Sequence, residues 1–215
     1  MRTERERPYV YVTWLTKLLV GENLCEWATW FKSHYKDYDQ FPAGFDRTGW
    51  QLAHTTLLSR VREELEEQGK IVFTENQNWF RLKGRVAFLG GKPDLIALDG
   101  KGGTILDAKT GKPQPSHDIQ VMIYMYAVPR ALPQYKGCTF DGKVVYADHV
   151  VDIPSAAVDD VFIENLGQLI RRIGAGSAAR QVPSQIECGF CPITKADCFV
   201  RAVEGLIAEA ETDDF

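Results

Sequence analysis

Residues 91–109 read Gly-Lys-Pro-Asp-Leu-Ile-Ala-Leu-Asp-Gly-Lys-Gly-Gly-Thr-Ile-Leu-Asp-Ala-Lys. Two short apolar runs flank a Gly-rich turn, the pattern of a β-hairpin. Asp94 opens the first run, Asp107 closes the second, and Lys109 follows two residues later. Side chains two apart on a strand share a face, so Asp107 and Lys109 point one way while Ala108 points into the core. Two acids and an amine gathered on a sheet suit metal-assisted attack of water on a phosphodiester. Mg²⁺ or Mn²⁺ prefers oxygen ligands, and Asp94, Asp107 and the Ala108 backbone carbonyl are three candidates. Such an ion acidifies water and offsets the charge that builds on the phosphate, while Lys109 orients the water or neutralises the phosphate. Taken alone, the same residues also describe a hairpin carrying a surface Asp–Lys pair.

The flanking segments add polar groups at helical spacing. From His117 the chain reads His-Asp-Ile-Gln-Val-Met-Ile-Tyr-Met-Tyr-Ala, an apolar run without Gly or Pro that predicts about three helical turns. Gln120 and Tyr124 are four apart and share a face of that helix, which can lie over the hairpin and reach a phosphate, a base or Lys109. Upstream, Thr48-Gly-Trp-Gln-Leu-Ala-His54 opens a second helix, with His54 in its early turns. Neutral histidine is a common metal ligand, and it is also common as an ordinary core or surface residue.

In this order and spacing, His54, Gly91-Lys-Pro-Asp94, Asp107-Ala-Lys109 and Gln120-x-x-x-Tyr124 resemble the RecB-like branch of the PD-(D/E)XK nuclease superfamily. The resemblance implies that His54, Asp94 and Asp107 bind the metal, that Lys109 is the catalytic lysine, and that Gln120 and Tyr124 lie beside the site. Asp107 stands where many relatives carry Glu, which shortens the arm but keeps the ligand class. Lys92 is a charge where many relatives are apolar, and it is a candidate phosphate contact together with Lys112.

A second constellation lies near the C-terminus, Cys188-Gly-Phe-Cys191-Pro-Ile-Thr-Lys-Ala-Asp-Cys198. Three thiolates this close call for a fourth ligand, for which Cys25 is the best candidate and Cys138 a poorer one. The chain holds 5 cysteines, an odd number, and nothing in it looks like a secretory signal, so a disulfide framework fits badly. Zinc competes for such a site, because Cys-x2-Cys is its usual half-site. One N-terminal and three clustered C-terminal cysteines around a nuclease domain resemble the iron–sulfur nucleases, among them the AddB nuclease domain and the stand-alone CRISPR-associated RecB-like exonucleases. That likeness implies that Cys25, Cys188, Cys191 and Cys198 hold a four-iron four-sulfur cluster, although the gap before Cys198 is one residue longer than the pattern. A cluster there would tie the first helix to the last as a crosslink does.

Composition fits an enzyme that grips phosphate locally. The chain has 215 residues, 45% of them hydrophobic, and a net charge of −4. Residues 81–112 nevertheless carry Arg81, Lys83, Arg85, Lys92, Lys101, Lys109 and Lys112 against Asp94, Asp99 and Asp107, a local surplus of 4 positive charges. No apolar run approaches the roughly 20 residues a membrane span needs, which points to the cytoplasm.

The expected layout is an α/β domain with a central mixed sheet flanked by helices, a restriction-endonuclease-like core, with a helical metal-bound flank built from both termini. Residues 1–215 form one nuclease domain, with 40–153 as the catalytic core and 1–39 with 174–215 as the flank. Helices are expected at 9–20, 24–35, 49–68 with Gly69 as its stop, 155–173 with Ser155 as its cap, and 196–210. Strands are expected at 71–74, 79–89 and 143–153 besides the hairpin. Residues 37–49 and 174–187 are expected as connections, 211–215 as a frayed acidic tail, and Pro129 and Pro133 as breaks after the Gln120–Tyr124 helix. The aromatics Trp27, Trp30, Phe31, Tyr35 and Tyr38 suit the buried stripe of a helix better than a base-stacking platform, while Trp79 and Phe80 fit either role.

Together these features point to a metal-dependent exonuclease acting on DNA ends or single strands. The CRISPR adaptation exonuclease, which trims spacers beside the integrase, is the relative it most resembles, with a phage or host recombination nuclease as the alternative. A non-catalytic DNA-binding or assembly module with a zinc or iron–sulfur staple is the reading from another class.

Overall fold

The computed structural model describes residues 2–42, 47–100 and 102–205. The chain opens with strands β1 (Thr3–Glu4) and β2 (Tyr9–Tyr11), a 3-10 turn over Val12–Trp14 and the short helix α1 (Thr16–Leu19). Helix α2 (Glu26–His34), strand β3 (Tyr35–Lys36) and the long helix α3 (Arg47–Glu67) follow. Next come β4 (Ile71–Thr74), the one-turn α4 (Glu75–Asn78), β5 (Phe80–Lys83) and β6 (Phe88–Gly91). The predicted hairpin is β7 (Leu95–Asp99) and β8 (Gly102–Ala108), and it leads into α5 (Pro115–Ala131). Strands β9 (Thr139–Val145) and β10 (Val150–Ile153) and helices α6 (Asp160–Ile173) and α7 (Gln185–Phe190) complete the described order.

The main sheet runs β10-β9-β8-β7-β4, and it is mixed: β8 and β9 are parallel while the other neighbours are antiparallel. A second sheet, β2-β6-β5, stands beside it. The central strand β8 is buried on both faces over most of its length, and the pleat sorts its residues between two helices. Leu106 and Ala108, with Leu95 and Ala97, face the Leu57, Val61 and Leu65 stripe of α3. Ile105 and Ile96 face the opposite layer, with Val121, Tyr124 and Val128 of α5. Each of the buried Leu, Ile and Val side chains stabilises the fold by about 1.5–3 kcal/mol. The expected α/β architecture, a mixed sheet flanked by helices, is therefore what the chain adopts. Gly100 turns the hairpin at a φ of 77°, a conformation that side chains with a Cβ resist.

Several local expectations change. Residues 9–20 do not form one helix: Tyr9–Tyr11 pairs in parallel with Phe88–Gly90, because alternating aromatic and β-branched residues suit a sheet edge better than a helix. Residues 143–153 are not one strand but the end of β9, a turn over Ala147-Asp148 closed by Tyr146 N–H to His149 O at 2.9 Å, and β10. The 79–89 run is likewise two strands, β5 and β6, paired antiparallel. Ser155 does not cap a helix; it lies in a 3-10 turn, and the cap of α6 is Asp159, whose carboxylate accepts from Phe162 N–H at 2.8 Å. Helix α5 runs past Pro129 to Ala131, since a proline near the end of the last turn forfeits a single hydrogen bond. Helix α3 begins at Arg47, inside the expected connection, and α7 begins at Gln185, capped by Ser184, inside the other. No helix forms over residues 196–205; turns at Thr194 and Cys198 replace it, held by the buried Arg201, which donates to Cys191 O, Ile193 O and Gly205 O. The rest of that expected helix, the tail at 211–215 and Lys101 lie outside the described residues. Among the described residues no helix is long and apolar enough to cross a membrane.

Candidate active site and cysteine pocket

Because Leu95 stands opposite Leu106, one further step of the register brings Asp94 opposite Asp107 at the mouth of the hairpin. Asp94 Oδ2 accepts the Ala108 N–H at 2.8 Å and faces His54 Nε2 of α3 at 3.3 Å. The His54 ring is stacked on Trp50, one turn earlier, with centroids 4.9 Å apart. Its pKa is raised, first by the hydrogen bond to Asp94 and against the effect of burial.

Asp107 is enclosed, with 2% of its surface exposed. Its Oδ1 accepts from Gln120 Nε2 at 2.8 Å, and Lys109 Nζ lies 2.6 Å from its Oδ2. Lys109 also donates to Gln120 Oε1 at 3.0 Å, so Asp107, Lys109 and Gln120 close a triangle. Gln120 completes its set with the Tyr124 hydroxyl at 3.2 Å. This face of α5 therefore braces the lysine. Tyr124 is held in its neutral form, its pKa raised by burial and then by the Asp107 charge. Its ring passes so close to Gly91 that a Cβ there would lie 2.8 Å from it, which explains the glycine at that place. Burial pushes the Asp107 pKa up to about 6; Lys109 opposes the shift and Asp94 adds to it.

Two carboxylates repelling each other in a desolvated corner favour a divalent cation. The Oδ2 atom of Asp107 is buried, and its neighbour is the Lys109 ammonium at 2.6 Å. The Asp107 and Asp94 carboxylates and the imidazole of His54 are donor types that Mg²⁺ or Mn²⁺ takes. Among the described residues, no three His, Cys, Asp or Glu side chains already stand around one point as a metal's ligands do. Asp94 is engaged by His54, and Asp107 by Lys109.

These groups open into a cleft of about 1240 Å³ that is lined by all six predicted site side chains. Lys92 and Lys112 line it too, and Lys92 is paired with Glu75 at 2.7 Å. Arg81, Lys83 and Arg85 do not line it, so the basic cluster at 81–112 splits between the cleft and another surface. Arg62 of α3 lies at the cleft instead. His117 is a further cleft residue with no role assigned from sequence. Its signal is the spacing 117, 120, 124, which places it on the bracing face of α5. Of the ambiguous aromatics, Phe80 is core and Trp79 is 52% exposed in the cleft. Trp30 and Phe31 are buried, with Trp27, Tyr35 and Tyr38 packed against the same core.

The cysteines gather at a second pocket, which shares Thr13 with the cleft. Cys25, Cys188, Cys191 and Cys198 line one pocket of about 310 Å³, and Cys138 lies elsewhere. Cys25 is the cap residue of α2, and the backbone N–H groups of Leu24 and Cys25 donate to the two oxygens of Glu187 at 3.0 and 3.1 Å. The Arg172–Glu26 fork at 2.8–3.0 Å closes the same flank. Burial raises the thiol pKa of Cys191 and of Cys198; Lys32 and Arg201 oppose the first shift, and a Gln181 hydrogen bond opposes the second. Lys32 and Arg201 both line the pocket.

The profile of the PD-(D/E)XK nuclease superfamily matches residues 18–196, and the chain belongs to that superfamily. Sixteen chains among solved structures match it. One is the crystal structure of SSO0001, 15% identical over 88% of this chain and 85% of that chain, with a TM-score of 0.45. No curated protein matches the sequence.

Proposed function

We propose that this nuclease-superfamily chain is a metal-dependent deoxyribonuclease of the RecB-like branch, an exonuclease acting on DNA ends or single strands. The observation that carries the reading is the closed Asp107–Lys109–Gln120 triangle facing Asp94 and His54 across one cleft. His54, Asp94, Asp107 and the Ala108 carbonyl would hold Mg²⁺ or Mn²⁺, which supplies Lewis acidity to water and phosphate when bound. Lys109, fixed by Gln120, positions the attacking water, and Tyr124 keeps Gln120 in the orientation that holds the lysine. Lys92 and Lys112 meet backbone phosphates. Single strands are favoured because Tyr11 and Trp79, 41% and 52% exposed, line the cleft, where unpaired bases would meet them.

Cys25, Cys188, Cys191 and Cys198 would hold a four-iron four-sulfur cluster: their thiols line one pocket, and Lys32 and Arg201 in its lining would offset the anionic charge such a group carries. Residues 1–215 then act as one cytoplasmic nuclease domain, with 40–153 as the catalytic core and 1–39 with 174–215 as the cluster flank. The biological setting is spacer processing beside the CRISPR integrase, or recombination and repair in a phage or host. A non-catalytic module is disfavoured because every member of the acid–acid–lysine set is in place.

The test is cleavage of single-stranded DNA labelled at the 5′ or 3′ end, with Mn²⁺, by the wild type and by Asp107→Ala. Cleavage from one end that falls at least about a hundredfold in the variant supports the reading; equal activity in both refutes it. Metal analysis and visible absorbance of protein purified without oxygen decide the pocket, where colourless protein with stoichiometric zinc would end the cluster assignment.

A further inference from the structure

His117 lies in the first turn of α5 and lines the cleft, and its ring is held from behind. His117 Nδ1 and the Tyr146 hydroxyl are 2.8 Å apart. Tyr146 is 3% exposed, and the His149 ring stacks flat against it with centroids at 4.5 Å and planes 11° apart. A buried hydroxyl proton needs an acceptor, and leaving it without one costs about 1–3 kcal/mol. Among the described residues, His117 Nδ1 is the only acceptor within hydrogen-bond distance of that hydroxyl. The Gln114 backbone N–H also acts on the same oxygen, lowering the Tyr146 pKa against the effect of burial. The phenol therefore donates to Nδ1, and that choice fixes the imidazole proton on Nε2. The ring is also neutral, since burial and the nearby Lys109 push its pKa down to about 4.

We propose that His117 is a substrate-binding residue, a neutral Nε2–H donor that Tyr146 presents to a phosphodiester oxygen beside Lys109. This rests on the nuclease reading of the cleft. The division of labour is chemical. Lys109 already brings a full positive charge balanced by Asp107, and a second cation there would compete with a divalent ion for the same corner. A neutral donor grips the phosphate without that repulsion, and its direction is set before substrate arrives. It makes no counterion-release contribution, so it leaves the salt dependence of binding unchanged.

The experiment combines ¹⁵N–¹H NMR of the imidazole with cleavage of end-labelled oligo(dT) in Mn²⁺. In the wild type, His117 should show the Nε2–H tautomer at neutral pH and shift on addition of oligo(dT). Tyr146→Phe should give a mixture of tautomers. His117→Ala should lose about tenfold or more in kcat/KM with the salt slope unchanged. His117→Gln, which keeps an N–H near the Nε2 position, should recover most of the loss. An Nδ1–H tautomer in the wild type, or His117→Ala cleaving as the wild type does, would overturn the proposal and leave the nuclease reading intact. Failure of the wild type itself to bind and cleave DNA would overturn both.

Discussion

The acid site and the cysteine pocket are assembled in opposite ways. The acid site is local: Asp94 and Asp107 belong to one hairpin, and Lys109 and Gln120, bonded to each other, are 11 positions apart. The cysteine pocket is a closure, in which Cys25 N–H reaches Glu187 across 162 positions and Glu26 reaches Arg172 across 146. The first can form as soon as the hairpin and its following helix meet. The second exists only when the two ends of the described chain are already in place. Chemistry is thus placed where folding is cheapest in loop entropy, and the cysteines lie where a crosslink removes the most.

The largest effect that would break this contrast is on the closure. On the proposed cluster assignment, replacing Cys198 by Ser should release the cluster and remove about 3 kcal/mol of stability, by analogy with a crosslink over a long loop. Thermal denaturation would read this as a drop in Tm of roughly 6–12 °C. The same Tm in the variant and the wild type, with metal content unchanged, would remove the cysteines from the account.

The acid site should answer to pH instead. Asp107 has a pKa near 6 in the folded chain, above the ordinary carboxylate range, so between about 4 and 6 the folded form holds more protons than the unfolded one. Its contribution therefore makes stability fall as pH rises through that window. Tm measured without divalent ions should show this fall relative to Asp107→Asn, and Mg²⁺ should abolish the difference at pH 7. Parallel curves for the two proteins would show that Asp107 is not held against its own charge.

The smallest effect concerns the staple that needs no metal. Glu187→Gln leaves only one oxygen to accept the Leu24 and Cys25 N–H groups, at a cost of about 1 kcal/mol. The expected outcome is a loss of a few degrees in Tm with kcat unchanged. A collapse of metal content in this variant would instead make Glu187 part of the thiol pocket's own architecture.

The same contrast decides what could be read in the sequence. The hairpin was legible because its turn and both acids lie in one contiguous stretch, and the Gln120–Tyr124 brace because a helix repeats its face at four. Tyr9–Tyr11 was not, because its strand is defined by a partner some 80 residues away, and the same letters also suit a helix. Residues 143–153 misled for a related reason: a two-residue turn, Ala147-Asp148, with a single polar residue is hidden between apolar runs. His117 was invisible as a site residue because its function depends on Tyr146, a neighbour that only the fold supplies. The local site could be listed residue by residue, whereas the geometry of the closure depended on contacts between distant segments.

Asp94 carries a consequence of its own. The oxygen it turns toward His54 also receives the Ala108 N–H, so the last rung of the β7–β8 ladder ends on a side chain instead of a carbonyl. The end of that ladder and the proposed ligand site share one atom. An ion held there as proposed would draw on the strand as well as on the oxygen, and its occupancy would be felt by the backbone that carries Lys109.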